Sequence, residues 1–265
     1  MRELKNYSFK NLEYVGRLGN QLFQIAWTYT QAAKSGGKAY VNPDWSYRKI
    51  FDLPEELYEK PSGETIDGGT EYYQDLRFWH GMESEVRDLF SLSDYAKDKL
   101  LTYLGDGLSE GSCSIHYRRD DYLKHPGHFH IPTDRYYRTA IENALAEDSE
   151  VKFYVFSDSI DLIKEEYNSK EFYKDILNRT TFFEGNITPV EVEDRVGEPE
   201  DWLDMFAMAS CDNHIIANST FSWWGAFLSN DQNPIYPSKW FGNNPAVKEI
   251  PWKSMIPTNW RQVKC

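Results

Sequence analysis

CSIHYRRDD, residues 113–121, opens as a strand and closes on four charged residues, and the segments around it decide the fold. After the strand Cys113–Tyr117 the sequence predicts a helix from about Asp134 to Ala146, a strand Val151–Phe156 and a helical run from Ile160 to Tyr167. The rhythm continues with a strand near Thr181–Phe183, a helix Asp201–Cys211, a strand His214–Ala217, a short helix in SWWGAF and a last strand near Ile235-Tyr236. Strands alternating with helices in this way need crossover connections, so the sheet is expected to be parallel and the class α/β. The acidic, Gly- and Pro-containing segment Glu191–Glu200 interrupts the pattern and reads as a solvated loop.

Working back toward the N-terminus, LGDGLSEGS at 104–112 suits a linker, dividing the chain into lobes 1–105 and 106–265. In the first lobe a Gly-rich turn at Gly16–Gly19 precedes a helical pattern with Leu22, Ile25, Ala26, Tyr29 and Ala33 on one face, ending near Gly36-Gly37. Ala39–Val41 follows as a strand, and Leu12–Val15 is the expected first strand of this βαβ start. Between about residues 50 and 105 no pattern is clear, and no internal repeat is present.

The bulk properties exclude several roles. Of 265 residues, 40% are hydrophobic and 27% charged, which describes a globular chain with ample core material. A net charge of −13 opposes general binding to nucleic acid or to anionic membranes, so any phosphate site must be local. The N-terminal MRELKNYSFK lacks the apolar stretch of a signal peptide, and no run of about 18 apolar residues exists to span a membrane. Cys113, Cys211 and Cys265 form no C-x-x-C pair. A soluble, cytoplasmic protein with neither disulfide framework nor structural zinc is expected. Nothing in the sequence sets the oligomeric state.

Ligands of doubly wound sheets bind beyond the carboxyl ends of the strands. Three polar clusters fall there: HYRRDD at 116–121, Ser157-Asp158-Ser159, and Asn218-Ser219-Thr220. Arg118 and Arg119 are adjacent, so in an extended segment they point oppositely. Arg118 is the residue expected to face an anionic ligand, as a planar fork of donors that keeps its charge. Arg119 is expected to pair with Asp120 or Asp121. A structural ion-pair knot is the competing reading of the cluster. The hydroxyls of Ser219 and Thr220, at the start of the next helix, suit either an anion or an ordinary helix cap. GRLGNQ at 16–21 brings Gly19, Asn20 and Gln21 to another helix N-terminus, with neither the dinucleotide fingerprint nor the P-loop spacing.

No D-x-D occurs to hold a divalent cation against a diphosphate. HPGHFH offers His125, His128 and His130, but as a loop without an obvious fourth ligand, so no metal is expected. Trp223-Trp224 is read as core or as a sugar-stacking pair, and His116 as a group that orients neighbours. Asp44, Asp121 and His130 are candidate bases near an acceptor hydroxyl, with no spacing to choose among them.

Together, GRLGNQLFQIA at 16–26, IHYRRDDYL at 115–123, FSD at 156–158 and DMFAMASCDNHIIANSTFSWWGAFL at 204–228 resemble the blocks of the α-1,2-fucosyltransferases, glycosyltransferase family 11. The resemblance spans most of the chain. It implies a GT-B-like fold with two facing Rossmann-like lobes, and inverting, metal-independent transfer of L-fucose from GDP-β-L-fucose to a sugar hydroxyl, O-2 of a galactoside in the first instance. It implies no cofactor besides the donor, and as partners only that donor and a glycan acceptor. It assigns phosphate binding to Arg118, loop positioning to His116 and Asp121, and donor contacts to Gly19, Asn20, Gln21, Asp158, Asn218, Ser219, Thr220 and Phe221. Asp204 takes the position of a carboxylate facing the guanine edge. Asp120 departs from the family's usual Gly and places a carboxylate where it is expected to weaken the phosphate grip. A transferase for another hexose or deoxyhexose, and a silent nucleotide- or glycan-binding module, stand as alternatives.

Overall fold

The structure, a computed structural model, describes residues 4–10, 12, 16–185, 198–229, 231–248 and 250–265. The chain forms two units, each built on its own parallel sheet.

The first unit holds β1 (Asn6–Ser8), α1 (Leu18–Ser35), β2 (Ala39–Tyr40), β3 (Thr65–Asp67), α2 (Glu83–Leu89) and most of α3 (Asp94–Leu104). Its strands run in the order β2-β1-β3, all parallel. The first strand is therefore Asn6–Ser8, not Leu12–Val15: Tyr7 and Ser8 pair with Ala39 and Tyr40 on one side and with Ile66 and Asp67 on the other. Leu12 is buried outside the sheet, and residues 13–15 fall outside the described residues. Helix α1 forms as its spacing predicts, with Leu18, Leu22, Phe23, Ile25 and Ala26 all buried. It stops at Gly36, whose φ of 74° is open to glycine without strain, and the amides of Gly36 and Gly37 bond back to the Ala33 and Ala32 carbonyls.

The stretch without a readable pattern is held by aromatic rings set in loops and short turns. Trp45 stacks on Phe51 at 5.4 Å and Trp79 on Phe23 at 5.4 Å. Residues 252–257 also belong to this unit, with the Ser254 hydroxyl bonded to the Asp75 carboxylate. The continuous second lobe read from the sequence is thus interrupted near its end, and the first boundary lies between residues 102 and 103.

The second unit contains β4 (Ser112–Tyr117), α4 (Asp120–Lys124), α5 (Asp134–Glu147), β5 (Lys152–Ser157), α6 (Ile160–Ser169), α7 (Glu171–Lys174) and β6 (Thr180–Phe182). It continues through α8 (Asp201–Ala209), β7 (Asn213–Ile215), α9 (Thr220–Leu228), β8 (Ile235–Pro237), α10 (Pro245–Lys248) and β9 (Arg261–Val263). All six strands are parallel, in the order β6-β5-β4-β7-β8-β9. Numbered within this unit the order is 3-2-1-4-5-6, the doubly wound arrangement of dinucleotide-binding folds. Every residue of β4 is buried, as expected of a central strand covered on both faces. The sequence reading stopped one strand short: β9, RQV, follows β8 and closes the sheet edge.

The core includes Cys113, Ile115 and Tyr117 of β4, Phe153 and Val155 of β5, and Tyr136, Tyr137 and Ile141 of α5. Most of Glu191–Glu200 lies outside the described residues. No helix among the described residues is long and apolar enough to cross a membrane.

Candidate active site

In a 3-2-1-4-5-6 sheet the chain leaves the first and fourth strands toward opposite faces, which opens a crevice at their carboxyl ends. Those strands are β4 and β7 here. HYRRDD runs off the end of β4, Asn218-Ser219-Thr220 lies beyond the end of β7, and Ser157-Asp158-Ser159 follows the adjacent β5. The topology thus places all three sequence-read clusters at one end of one sheet.

Arg118 is buried, 6% exposed, and its guanidinium is gripped from two sides. Nε and Nη2 donate to Asp121 Oδ1 and Oδ2 at 3.0 and 2.9 Å, a two-pronged contact across the first turn of α4, and Nε also lies 3.2 Å from Asp158 Oδ2. Nη1 bonds to none of the described residues. Burial pulls the Arg118 pKa down, but the Asp158 and Asp121 carboxylates outweigh it and leave it raised, so the charge is permanent. For Asp158, burial pushes the carboxyl up against the pull of Arg118 and of the Arg119 and Asp120 amides.

One role assigned from sequence moves from Arg119 to Arg118. Arg119 pairs with neither Asp120 nor Asp121. Its amide donates to Asp158 Oδ1 at 2.8 Å, its Nη1 reaches the Pro132 carbonyl at 3.4 Å, and its guanidinium lies over the Tyr117 and Tyr137 rings at 5.4 and 5.6 Å. The carboxylate holding this loop serves Arg118 instead. The strand geometry that would turn the two arginines apart ends at Tyr117, and both side chains are buried. Asp120 forms an ion pair with Lys124 at 2.6 Å, one turn along α4, so its charge is answered away from Arg118. Asp121, committed to Arg118, is a positioning carboxylate and not a candidate base.

His116, the fifth residue of β4, is fully buried and neither ring nitrogen has a hydrogen-bond partner. Its ring faces Phe221 at 5.9 Å. Burial, with Arg118 adding repulsion, lowers its pKa to about 3, so the imidazole is neutral and orients none of the described neighbours. Across the crevice Asn218 is also fully buried: its amide nitrogen donates to the His130 and Trp240 carbonyls while Oδ1 stays unpartnered. Ser219 caps α9, its hydroxyl accepting from the Phe221 amide at 3.3 Å, and Thr220 and Phe221 are half-buried in the first turn. Trp223 and Trp224 are both wholly enclosed, Trp223 stacking on Phe227 at 4.8 Å, so neither ring is available to a sugar.

His125 and His128 stand edge to face at 6.4 Å, and His128 Nε2 contacts Asn244 at 3.1 Å. His130 is half-buried with Nε2 unpartnered, and burial with Lys239 lowers its pKa. Among the described residues no three His, Cys, Asp or Glu side chains group as metal ligands. Asp44 is exposed, in the first unit.

Asp204, in the first turn of α8, is 1% exposed and accepts a hydrogen bond from Tyr103 Oη. Burial, with Asp201 adding repulsion, raises its pKa to about 7. Tyr103 belongs to no sequence motif, and only the structure reveals it. In the first unit, Gly19 is buried within α1. Asn20 accepts from Gln74 at 2.9 Å, and Gln21 bridges the Gly16 carbonyl at 3.1 Å and the Trp45 indole at 2.8 Å. Gly16, with φ 83°, is pressed against Asn20. The Gln21 amide is thus spent on holding this turn.

One unit with a doubly wound sheet and another with its own parallel sheet give the α/β plan of a GT-B-like fold. The model of glycosyl transferase family 11 matches residues 40–249, and the chain belongs to that family. It is 31% identical to the alpha-1,2-colitosyltransferase of Escherichia coli, over 85% of this chain and 90% of that protein. It is 24% identical to galactoside alpha-(1,2)-fucosyltransferase 1 of Homo sapiens, over 81% of this chain and 64% of that protein. Among solved structures, fucosyltransferase NodZ from Bradyrhizobium aligns with a TM-score of 0.50 at 11% identity, covering 85% of this chain and 92% of that one, a likeness of fold.

Proposed function

We propose that this enzyme moves a 6-deoxyhexosyl group, L-fucose in the first instance, from its guanosine-diphosphate donor to a sugar hydroxyl, forming an α-1,2 linkage with inversion and without a metal. The observation that carries the reading is Arg118, buried, held by two carboxylates and leaving Nη1 unengaged by described residues, among buried polar atoms without partners on His116 and Asn218. Buried polar atoms are rarely left unpaired unless a ligand or water completes them. A diphosphate between β4 and β7 would meet Arg118 from one side and the amides and hydroxyls of Ser219 and Thr220 from the other.

The mechanism follows from charge. As the bond from the sugar's C1 to the β-phosphate oxygen breaks, negative charge grows on the diphosphate while the ring gains oxocarbenium character. Asp121 and Asp158 fix the Arg118 guanidinium beforehand, so it meets that charge without reorganising. The neutral His116 offers one donor and one acceptor nitrogen to the donor substrate or a bound water. Asp204 takes the guanine edge. The acceptor hydroxyl attacks the opposite face of C1 and loses its proton, with His130 the remaining base candidate in this unit.

The E. coli relative's name favours a second donor reading. Colitose is fucose without its 3-hydroxyl, so the two donors share base, diphosphate and methyl group. The test is nucleotide release and product linkage by NMR with GDP-fucose, GDP-colitose, UDP- and dTDP-sugars across galactoside acceptors, with and without EDTA. Transfer from a GDP-deoxyhexose, unaffected by EDTA and yielding a 1,2-linked α product, is expected. Loss in EDTA sinks the metal-free route, and GDP binding without turnover on any acceptor supports the silent module.

A further inference from the structure

The surroundings of Asp204 carry the base site further. Tyr103, in the last turn of α3, donates its hydroxyl to Asp204 Oδ1. Gly185 lies against both groups: a Cβ built there would fall 2.2 and 2.3 Å from the two carboxylate oxygens and 2.4 Å from Tyr103 Oη. Any larger residue at 185 would clash with the carboxylate and the Tyr103 hydroxyl, so glycine is what lets the three pack together. The Tyr103 ring stands 5.6 Å from Phe183, which stacks on Phe156 at 4.6 Å and is tied by its amide to the Val155 carbonyl at 2.9 Å. A buried acceptor, a hydroxyl that donates to it, a stretch of backbone without a side chain and a row of aromatic rings thus meet beyond the ends of β5 and β6.

The chemistry of a carboxylate selects the occupant. Ionised, it accepts only, with about four lone-pair positions. Tyr103 takes one, and a base edge with two parallel donors takes two more. Guanine has that edge in N1–H and N2–H. Adenine and cytosine set a ring acceptor beside the amino group, and uracil flanks its one N–H with carbonyls that repel the carboxylate.

We infer that Tyr103 is a positioning residue for the nucleobase: it keeps Asp204 an oriented acceptor, so that the site takes a guanine edge and refuses adenine, cytosine and uracil. This rests on the reading of Asp204 as the base contact. Among the described residues, Asp201 on α8 repels Asp204, Glu200 bears on Tyr103, and Tyr103 is the group that favours the ionised carboxylate. Without the hydroxyl, Asp204 protonates more readily and turns an O–H toward guanine's own donors.

The experiment is calorimetric titration of the whole chain with GDP, ADP and UDP from pH 6 to 9, for the wild type, Tyr103→Phe, Gly185→Ala and Asp204→Asn. Wild type should prefer GDP. Tyr103→Phe should move the pH midpoint of GDP binding up by about one unit, which weakens GDP about fivefold at pH 7 and spares it at pH 9. Gly185→Ala should weaken GDP at every pH. A Tyr103→Phe profile parallel to wild type, lowered or not, overturns the positioning role, and undiminished GDP binding by Gly185→Ala overturns the need for the close packing of residue 185 on the Tyr103–Asp204 pair. If Asp204→Asn keeps the full preference for GDP, the base contact itself is wrong, a different outcome from the failure of Tyr103 alone.

Discussion

Asp204→Asn should make the protein more stable relative to wild type as the pH rises, and the size of the effect follows from burial. In the fold the Asp204 carboxyl is raised to about 7, with burial the largest cause, from an ordinary value of 3.8. An acid whose folded pKa exceeds its unfolded one holds its proton more tightly when folded. The stability from that proton is full below the unfolded value and is lost as pH rises through the folded one. The gap is about three units at about 1.4 kcal/mol each, so the complete loss is about 4 kcal/mol, of which roughly 2 is already gone at pH 5. Between pH 5 and pH 8 the wild type therefore loses a further 2–3 kcal/mol or so from this residue. Asparagine has no charge to desolvate. Its added N–H donors carry a penalty of about 1–3 kcal/mol if left unsatisfied, but an equal one at both pH values. Urea unfolding of both proteins at pH 5 and pH 8 isolates the difference: the variant's ΔΔG should move in its favour by about 2–3 kcal/mol at the higher pH. The same ΔΔG at both would refute the claim that the fold holds this carboxylate against its own stability, and with it the reason to regard Asp204 as retained for a ligand.

Arg118→Lys keeps the charge but not the fork on Asp121, so turnover should fall roughly 10²–10³-fold while thermal unfolding shifts little; activity within a few-fold of wild type would show that Arg118 is scaffold only. Arg118→Ala, by contrast, strands the buried Asp158 and should destabilise by about 3–5 kcal/mol, read by denaturant titration. Arg119→Ala removes the cation from above Tyr117 and Tyr137 and should cost about 1–2 kcal/mol of stability with the folded protein's kcat preserved, and a kcat loss matching that of Arg118→Lys would assign it a direct role. Asp120→Gly breaks the exposed pair with Lys124, so kcat/KM for the donor should stay within about twofold; a large gain would mean that Asp120 does oppose the diphosphate.

The second unit is legible because its strands and helices each carry a local signal, and the three short polar motifs follow strands that share one sheet, which sets them at one end of it. Strand order was not legible. Nothing local in Thr180–Phe182 or Arg261–Val263 says which edge each occupies, yet it is the order that puts β4 beside β7 and makes the switch point. The first unit resisted for another reason: Trp45, Phe51, Trp79 and Phe90 are buried from loops and turns, where neither a period of two nor one of 3.6 applies. The arginines show the limit most sharply. Strand alternation does not reach the pair: Arg119 has φ −127° and ψ −60°, outside strand geometry, so adjacency no longer sets which way each side chain turns.

What replaces that alternation is a balance of charge. Asp121 and Asp158 both pair with the Arg118 guanidinium, and Arg119 adds a second positive charge over the Tyr117 and Tyr137 rings, so the four formal charges cancel and Arg118 is held before any donor arrives. Such a neutral cage gives the resting diphosphate little net attraction. On the proposed mechanism its benefit comes later, when charge grows on the departing diphosphate and meets a guanidinium already aimed. A lone arginine on a flexible loop would bind the donor anion as well in its ground state but would have to be ordered during the reaction. The two carboxylates, which a local reading takes as evidence of a mere ion-pair knot, are then the means by which the knot becomes a site for the leaving group.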